Sequence, residues 1–122
     1  MLKGAKNYDR PPDPRCLETR EIPATFLRLH SPREQVALPY ASLIKLELTL
    51  DETTLELSFV THRVTITGRN LAEIYKAVTE AEARLVRVVS TDFADEAAVP
   101  SYKALVHGIR IEPLDADARR KQ

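Results

Sequence analysis

Several features are scarce in this 122-residue chain, and each absence excludes a class of protein. Its single cysteine, Cys16, cannot form an internal disulfide, so nothing in the sequence points to an oxidising compartment. No apolar run approaches the ~18 residues needed to cross a bilayer, and the first residues lack the apolar core of a secretory signal. We therefore expect a cytoplasmic protein with no membrane partner.

Net charge is absent as well. Eighteen Lys and Arg side chains balance eighteen Asp and Glu side chains. Proteins that bind nucleic acid or membrane surfaces usually carry an excess of positive charge. The balance therefore does not indicate nucleic acid, although a local basic patch would be invisible in the total. The composition, 43% hydrophobic and 30% charged, is ordinary for a single globular domain.

The prolines indicate where regular structure can run. Six of the eight lie at or before Pro39, and the other two stand at positions 100 and 113. Proline lacks an amide hydrogen and interrupts strand ladders and helix interiors, so 40–99 can hold uninterrupted elements. The sequence predicts three segments: a flexible, proline-containing arm at 1–20, one α+β domain at 21–113, and a charged tail at 114–122.

The clearest pattern begins at residue 43. Apolar and polar residues alternate over 43–50 and again over 55–59, with Ile44 among the residues of the inward face. Period-two alternation is typical of strands with one buried side. We therefore expect an antiparallel pair joined by an exposed loop at 51–54.

The alternation then changes phase. Apolar positions are odd-numbered through Phe59 and even-numbered at Val64 and Ile66. A strand changes face only through an extra residue or a turn. Because 60–63 contains no Gly, Asn or Pro, a primed hairpin turn is disfavoured, and we expect a β-bulge that bends one long strand.

A capped helix is predicted to follow. Gly68 ends the strand, and Asn70 stands at the N-cap with Glu73 three residues later, as in a capping box. Apolar residues spaced by three and four then predict a helix over 71–83. The apolar stripe consists of Leu71, Ile74, Tyr75, Val78 and Ala81. Further strands are expected at 25–30, 84–89 and 102–112.

Together these elements predict an α+β fold. Its curved, mainly antiparallel sheet of four to five strands packs with one amphipathic helix in the order β-β-β-α-β-β. Such a bent, strand-rich chain is small-barrel-like and is similar to the Sm-like and SH3-like barrels. The helix between the third and fourth strands departs from the Sm pattern, and no motif of either family occurs.

Candidate catalytic and metal-binding chemistry is sparse. His30, His62 and His107 all fall on predicted strands, yet no local pair has the spacing of metal ligands. Nucleophilic catalysis requires a serine or cysteine beside a base, and no serine lies in a nucleophile-elbow context. We therefore expect no metal, no cofactor and no enzymatic activity.

The best candidate for ligand contact is an anion site at the start of the helix. Residues 68–70 lead from a strand into a helix, where backbone amides and the helix dipole favour negative charge. Arg69 offers a planar donor fork beside Asn70, and Arg63 and His62 would support it from the preceding bend. The competing interpretation is that Arg69 only solvates the junction or pairs with Glu73.

Two functions fit these observations. The first is a non-catalytic interaction module that self-associates, because strand 84–89 carries apolar side chains on both faces and one helix cannot cover two faces. A protein partner is also compatible with this function. The alternative is a small-barrel nucleic-acid-binding protein, in which basic and aromatic side chains gather around the bend near His62. Those side chains are Arg28, Arg33, Arg63, Arg69, Arg87, Tyr40 and Tyr75.

Overall fold

The computed structural model describes residues 16–20, 22–89 and 102–114. Within them lie eight strands, one α-helix and a short 3-10 helix at Tyr40–Ser42. The other elements are β1 (Leu17–Thr19), β2 (Phe26–His30), β3 (Gln35–Pro39), β4 (Leu43–Leu48), β5 (Thr54–Phe59), β6 (His62–Arg69), α1 (Ala72–Thr79), β7 (Ala83–Arg87) and β8 (Leu105–Pro113). The predicted arm, up to residue 15, and the predicted tail beyond Leu114 lie outside the described residues.

The eight described strands form two sheets of four. The first sheet has the order β1-β7-β2-β3, in which β2 and β7 run parallel and the other pairs run antiparallel. The second sheet has the order β4-β5-β6-β8 and is antiparallel throughout. The prediction of an α+β fold is confirmed. The prediction of one sheet is wrong, and the described strands form no closed barrel.

The first sheet begins inside the segment that was predicted to be a flexible arm. Leu17 and Glu18 pair with Val86 and Leu85 of β7, and the side chain of Cys16 is buried. β1 is only three residues long, too short for alternation to reveal it. Residues 16–19 therefore belong to the folded domain.

The phase change after Phe59 is a tight turn and not a bulge. Ser58 pairs with Arg63, so Val60 and Thr61 alone connect β5 to β6, and neither has a positive φ. The Val60 N–H donates to the Ser42 carbonyl over 2.8 Å, and the Thr61 carbonyl accepts from Leu114 over 2.9 Å. Contacts from distant parts of the chain thus stabilise a turn that lacks the usual turn residues.

Bulges occur elsewhere in the second sheet. Leu43 pairs with Phe59 while Lys45 pairs with Ser58, which leaves Ile44 as an extra residue on β4. This extra residue turns Ile44 outward, and its side chain is 70% exposed, although the alternation predicted it to face the core.

The strand-to-helix junction also differs from the prediction. Asn70 has a φ of 53° and precedes the N-cap residue, Leu71, which makes no side-chain cap bond. The Asn70 Nδ2 instead donates to the Lys103 carbonyl over 3.1 Å. The predicted Asn70 cap is therefore wrong. Asparagine is suited to this position because it tolerates the left-handed conformation better than most residues.

A single apolar core joins both sheets to the helix. Its fully buried side chains include Leu29 of β2, Leu57 of β5 and Ile74 of α1. Burying a side chain of this size contributes about 1.5–3 kcal/mol. At the core's margin, the Tyr40 hydroxyl donates to the Ala83 carbonyl over 2.5 Å, and burial raises the pKa of the Tyr40 phenol. Tyr75, predicted to lie in the core, is exposed.

Strand β7 is buried on both faces within one chain. Leu85 and Val86, which face opposite sides, are 7% and 0% exposed. Leu85 lies between its register partners Glu18 and Arg28, whose aliphatic stems can cover apolar surface. The sequence correctly indicates two covered faces. Because both are covered within one chain, β7 does not require a second copy, and self-association stays a prediction.

Candidate functional site

The four residues of the predicted anion site lie at opposite ends of β6. His62 and Arg63 begin the strand, Arg69 ends it and Asn70 follows. At ~3.3 Å per residue, the six steps from Arg63 to Arg69 span roughly 20 Å. One small anion cannot contact both ends. Binding at the helix start by Arg69 and Asn70 stays a prediction, without the support expected from Arg63 and His62.

Two of the three histidines line one cleft. His30 ends β2, His107 lies on β8, and the cleft between them has a volume of about 730 Å³. His62 lines a different groove beside Ile44 and Val60. Within residues 16–20, 22–89 and 102–114, no three His, Cys, Asp or Glu side chains are grouped as metal ligands.

The cleft has a basic part and an apolar part. The basic side chains along it are His30, Arg33, Arg87 and His107, and none of the described residues that line it is acidic. The apolar residues are Pro32, Val88, Val89 and Ile109. Its size falls in the range of about 300–1,000 Å³ that is typical of small-molecule sites. The cleft can therefore hold a small anion with an apolar portion.

The fold places this cleft where the two sheets meet. The parallel strands β2 and β7 end side by side, with His30 in register with Arg87. Beyond their ends, the Val89 N–H donates to the Val106 carbonyl of β8 over 3.0 Å. Thr67 pairs with Gly108 and Gly68 with Val106, so His107 between them is the extra residue of a bulge.

An ion pair of Arg87 and a lowered pKa of His30 determine the electrostatics of the cleft. Arg87 Nη1 donates to Glu18 Oε2 over 3.1 Å, which holds the guanidinium against the end of β7. Burial, followed by the nearby Arg28 and Arg87, lowers the pKa of His30, and Glu18 opposes the effect. Burial is the largest cause, so His30 keeps its neutral imidazole to a lower pH than usual and can still donate one ring N–H.

The residues predicted to form a nucleic-acid surface do not gather around one bend. Arg28 and Arg87 lie on the first sheet, whereas Arg63 and Arg69 lie at opposite ends of β6. Tyr40, a predicted stacking residue, is part-buried and hydrogen-bonded to a backbone carbonyl. No common patch for these side chains follows from the described elements.

A second candidate region is the outer edge of β4. Among the described strands, β4 is hydrogen-bonded only to β5. Two grooves of about 460 and 550 Å³ flank it, and Ile44 and Lys45 line both. Tyr75 of α1 lines the first groove, and Val60, 47% exposed, lines the second. Sequence reasoning missed this region because the bulge at Ile44 becomes visible only when β4 is aligned with β5.

The basic cleft was also missed by sequence reasoning. Its histidines and arginines are separated along the chain, and only the parallel pairing of β2 and β7 brings His30 next to Arg87. No helix in the described part of the chain is long and apolar enough to cross a bilayer. The chain matches no protein-family model, no curated protein and no solved structure.

Proposed function

We propose that this chain is a non-catalytic interaction module that self-associates through the edge of β4. The observation that carries the proposal is an edge strand with an exposed apolar side chain, Ile44, beside an acidic and a basic residue in alternation. Edge strands present unused backbone donors and acceptors to a second strand. The partner that best fits this edge is β4 of a second copy, because its basic and acidic side chains alternate and can pair with each other.

The hydrogen-bond pattern of β4 supports this pairing. The Thr49 N–H donates to the Thr54 carbonyl of the neighbouring strand over 3.0 Å. In antiparallel pairs, such bonded positions alternate with positions that face the other way. The backbone N–H and C=O groups of Lys45 and Glu47 are therefore directed toward β5. Those of Leu46 and Leu48 are directed away from β5, toward the free edge.

Charge complementarity sets the register. An antiparallel pair of β4 strands with its two-fold axis at Leu46 places Lys45 opposite Glu47 of the second copy and leaves the bulged Ile44 at the end of the paired segment. Both charged side chains are mostly exposed, with their charged atoms 3.6 Å apart within one chain. Lysine on an edge strand usually discourages pairing, but an opposing glutamate turns it into an attraction.

The remaining edges are less suited to strand addition. β1 is three residues long, and β3 and β8 end in Pro39 and Pro113, which have no amide hydrogen to donate. Pairing at β4 would also cover Ile44, which is 70% exposed in the single chain. These features favour β4 as the self-association surface.

Sedimentation equilibrium of the full chain over a range of micromolar concentrations tests the proposal. We expect a monomer–dimer equilibrium whose dissociation constant rises about tenfold in Lys45→Glu and in Glu47→Lys, because each change places like charges opposite one another at two symmetric positions. The double variant K45E/E47K restores both opposite-charge pairs, so we expect its dissociation constant to return to that of the unmodified chain.

The outcomes separate the two functions. A mass that stays monomeric at all concentrations, or a double variant that dimerises no better than the single ones, would show that β4 does not mediate self-association. A monomer that shifts with short RNA at low salt, where phosphate contacts are strongest, would favour the alternative of nucleic-acid binding.

A further inference from the structure

We infer that the cleft at the ends of β2 and β7 binds a small organic phosphate, with the phosphate held by Arg33, Arg87 and the two histidines. Four basic side chains from different segments line this cleft, and no acidic residue lines it among those described.

The donor groups suit a phosphate. Arg33 and Arg87 carry permanent charge in planar forks that match phosphate oxygens, and each histidine adds a ring N–H. His30 and Arg87 are register partners on adjacent strands, so their backbones lie about 4.8 Å apart. A single phosphate can therefore contact both side chains.

Arg87 is also positioned before any ligand arrives. Its guanidinium donates to Glu18 over 3.1 Å, and this ion pair is only partly exposed. An arginine that is already ordered loses less side-chain entropy on binding. Glu18 thus acts as a positioning residue for the proposed site.

His107 is brought to the cleft by a local irregularity. It is the extra residue of the β8 bulge, and bulges re-aim side chains beside functional sites. This extra residue changes the phase of the alternation in β8, which without the bulge would continue unchanged. The second sheet thereby contributes a donor to a site whose other basic groups come from the first sheet and the β2–β3 loop.

The apolar residues define the rest of the ligand. Val88, Val89 and Ile109 line the same cleft, whose volume of about 730 Å³ greatly exceeds that of a phosphate ion. An organic group attached to the phosphate would occupy this part. A molecule of mononucleotide size fits both the charge and the volume. The site shares no lining residue with β4, so it does not depend on self-association.

Isotope-edited NMR on the full chain tests the inference, with AMP, adenosine and inorganic phosphate as probes. We expect AMP to shift the backbone signals of His30, Arg33 and Val88 in a saturable manner. Inorganic phosphate should shift the same signals with weaker affinity, and adenosine should leave them nearly unchanged because it lacks the anion.

Substitutions then identify the binding groups. Arg33 is exposed and its side chain is not needed for the turn, where Ser31 Oγ accepts from the Arg33 backbone N–H over 3.3 Å. We expect Arg33→Ala and His107→Gln each to weaken AMP binding about fivefold or more. The matched control is Arg84→Ala, which removes an exposed arginine of β7 that does not line the cleft.

Three results would overturn the inference. The first is the absence of cleft shifts with both anions at low salt, and the second is equal binding of adenosine and AMP. The third is an equal loss of affinity in Arg84→Ala and Arg33→Ala, since that would reflect overall charge and not a site. Preserved peak dispersion in each variant shows that the fold is intact.

Discussion

At the scale of single residues, Gly68 shows how closely two strands of the second sheet approach. Its φ is not positive, so glycine is not needed there for a left-handed turn. A Cβ at this position would lie 1.9 Å from the Leu105 carbonyl oxygen and 2.9 Å from its carbon. These are backbone atoms and cannot rotate away. The reason for glycine is therefore steric.

We expect Gly68→Ala to destabilise the fold by about 2 kcal/mol or more, because β6 and β8 must separate to admit the methyl group. The matched control is Gly108→Ala, whose Cβ would meet only a side-chain atom, Thr67 Oγ1, at 3.1 Å. Urea unfolding of both variants measures the difference. Equal unfolding midpoints for the two variants would contradict the close approach.

At the scale of elements, α1 ends in a C-terminal capping motif that has both of its hydrogen bonds but lacks the usual glycine. The Ala81 N–H donates to the Val78 carbonyl over 3.0 Å, and the Glu82 N–H donates to the Ala77 carbonyl over 2.8 Å. This pair of bonds defines the Schellman motif, whose left-handed residue is usually glycine. Here that residue is Ala81, with a φ of 57°.

We expect Ala81→Gly to stabilise the protein by about 0.5–1 kcal/mol, because relief of the left-handed strain exceeds the added entropy of the unfolded chain. Ala77→Gly near the end of the same helix should destabilise it by at least this amount, because helix propensity and a buried methyl group are both lost. Urea midpoints that move in opposite directions would support the motif. A loss of stability in Ala81→Gly would contradict it.

At the scale of the whole molecule, the two sheets share one core. Leu29 of the first sheet and Leu57 of the second belong to the same buried cluster and are fully buried. The bond from Val89 to Val106 also joins the sheets, and the bond from Tyr40 to Ala83 holds the 3-10 helix that connects them against the first sheet. A domain of this kind should unfold as one unit.

We expect Leu29→Ala and Leu57→Ala each to lower the free energy of unfolding by about 2–5 kcal/mol while leaving a single transition. Far-UV circular dichroism and tyrosine fluorescence should report the same midpoint in each variant. Separate transitions for the two probes, or a variant that loses one sheet alone, would show that the sheets are independent units.

Much of the order of strands and helix could be predicted from the sequence, and each element that was missed has a physical reason. Alternation correctly indicated β4 and the strand segments of β5 and β6, although as one bent strand. Strands were also expected where β2, β7 and β8 lie, and the periodic apolar stripe correctly indicated α1. β1 and β3 were missed because they are short and close to prolines. The β5–β6 turn was missed because Val60 and Thr61 rely on bonds from Ser42 and Leu114.

The candidate sites were less predictable than the fold. The chemistry at the helix start could be proposed from Arg69 and Asn70 because they are neighbours in the chain. The cleft could not, because His30 and His107 meet through a parallel strand pair and a bulge. Neither the parallel pairing nor the bulge can be recognised from a pattern of consecutive residues.

The sequence by itself determined the fold class, because local alternation and helical periodicity are properties of consecutive residues. It also set the absence of net charge and of a cysteine pair. Only the tertiary structure decided which strands pair, that β7 is covered within one chain, and that Ile44 points outward. These features depend on register between distant segments, and a shift of one residue on either strand would reverse them.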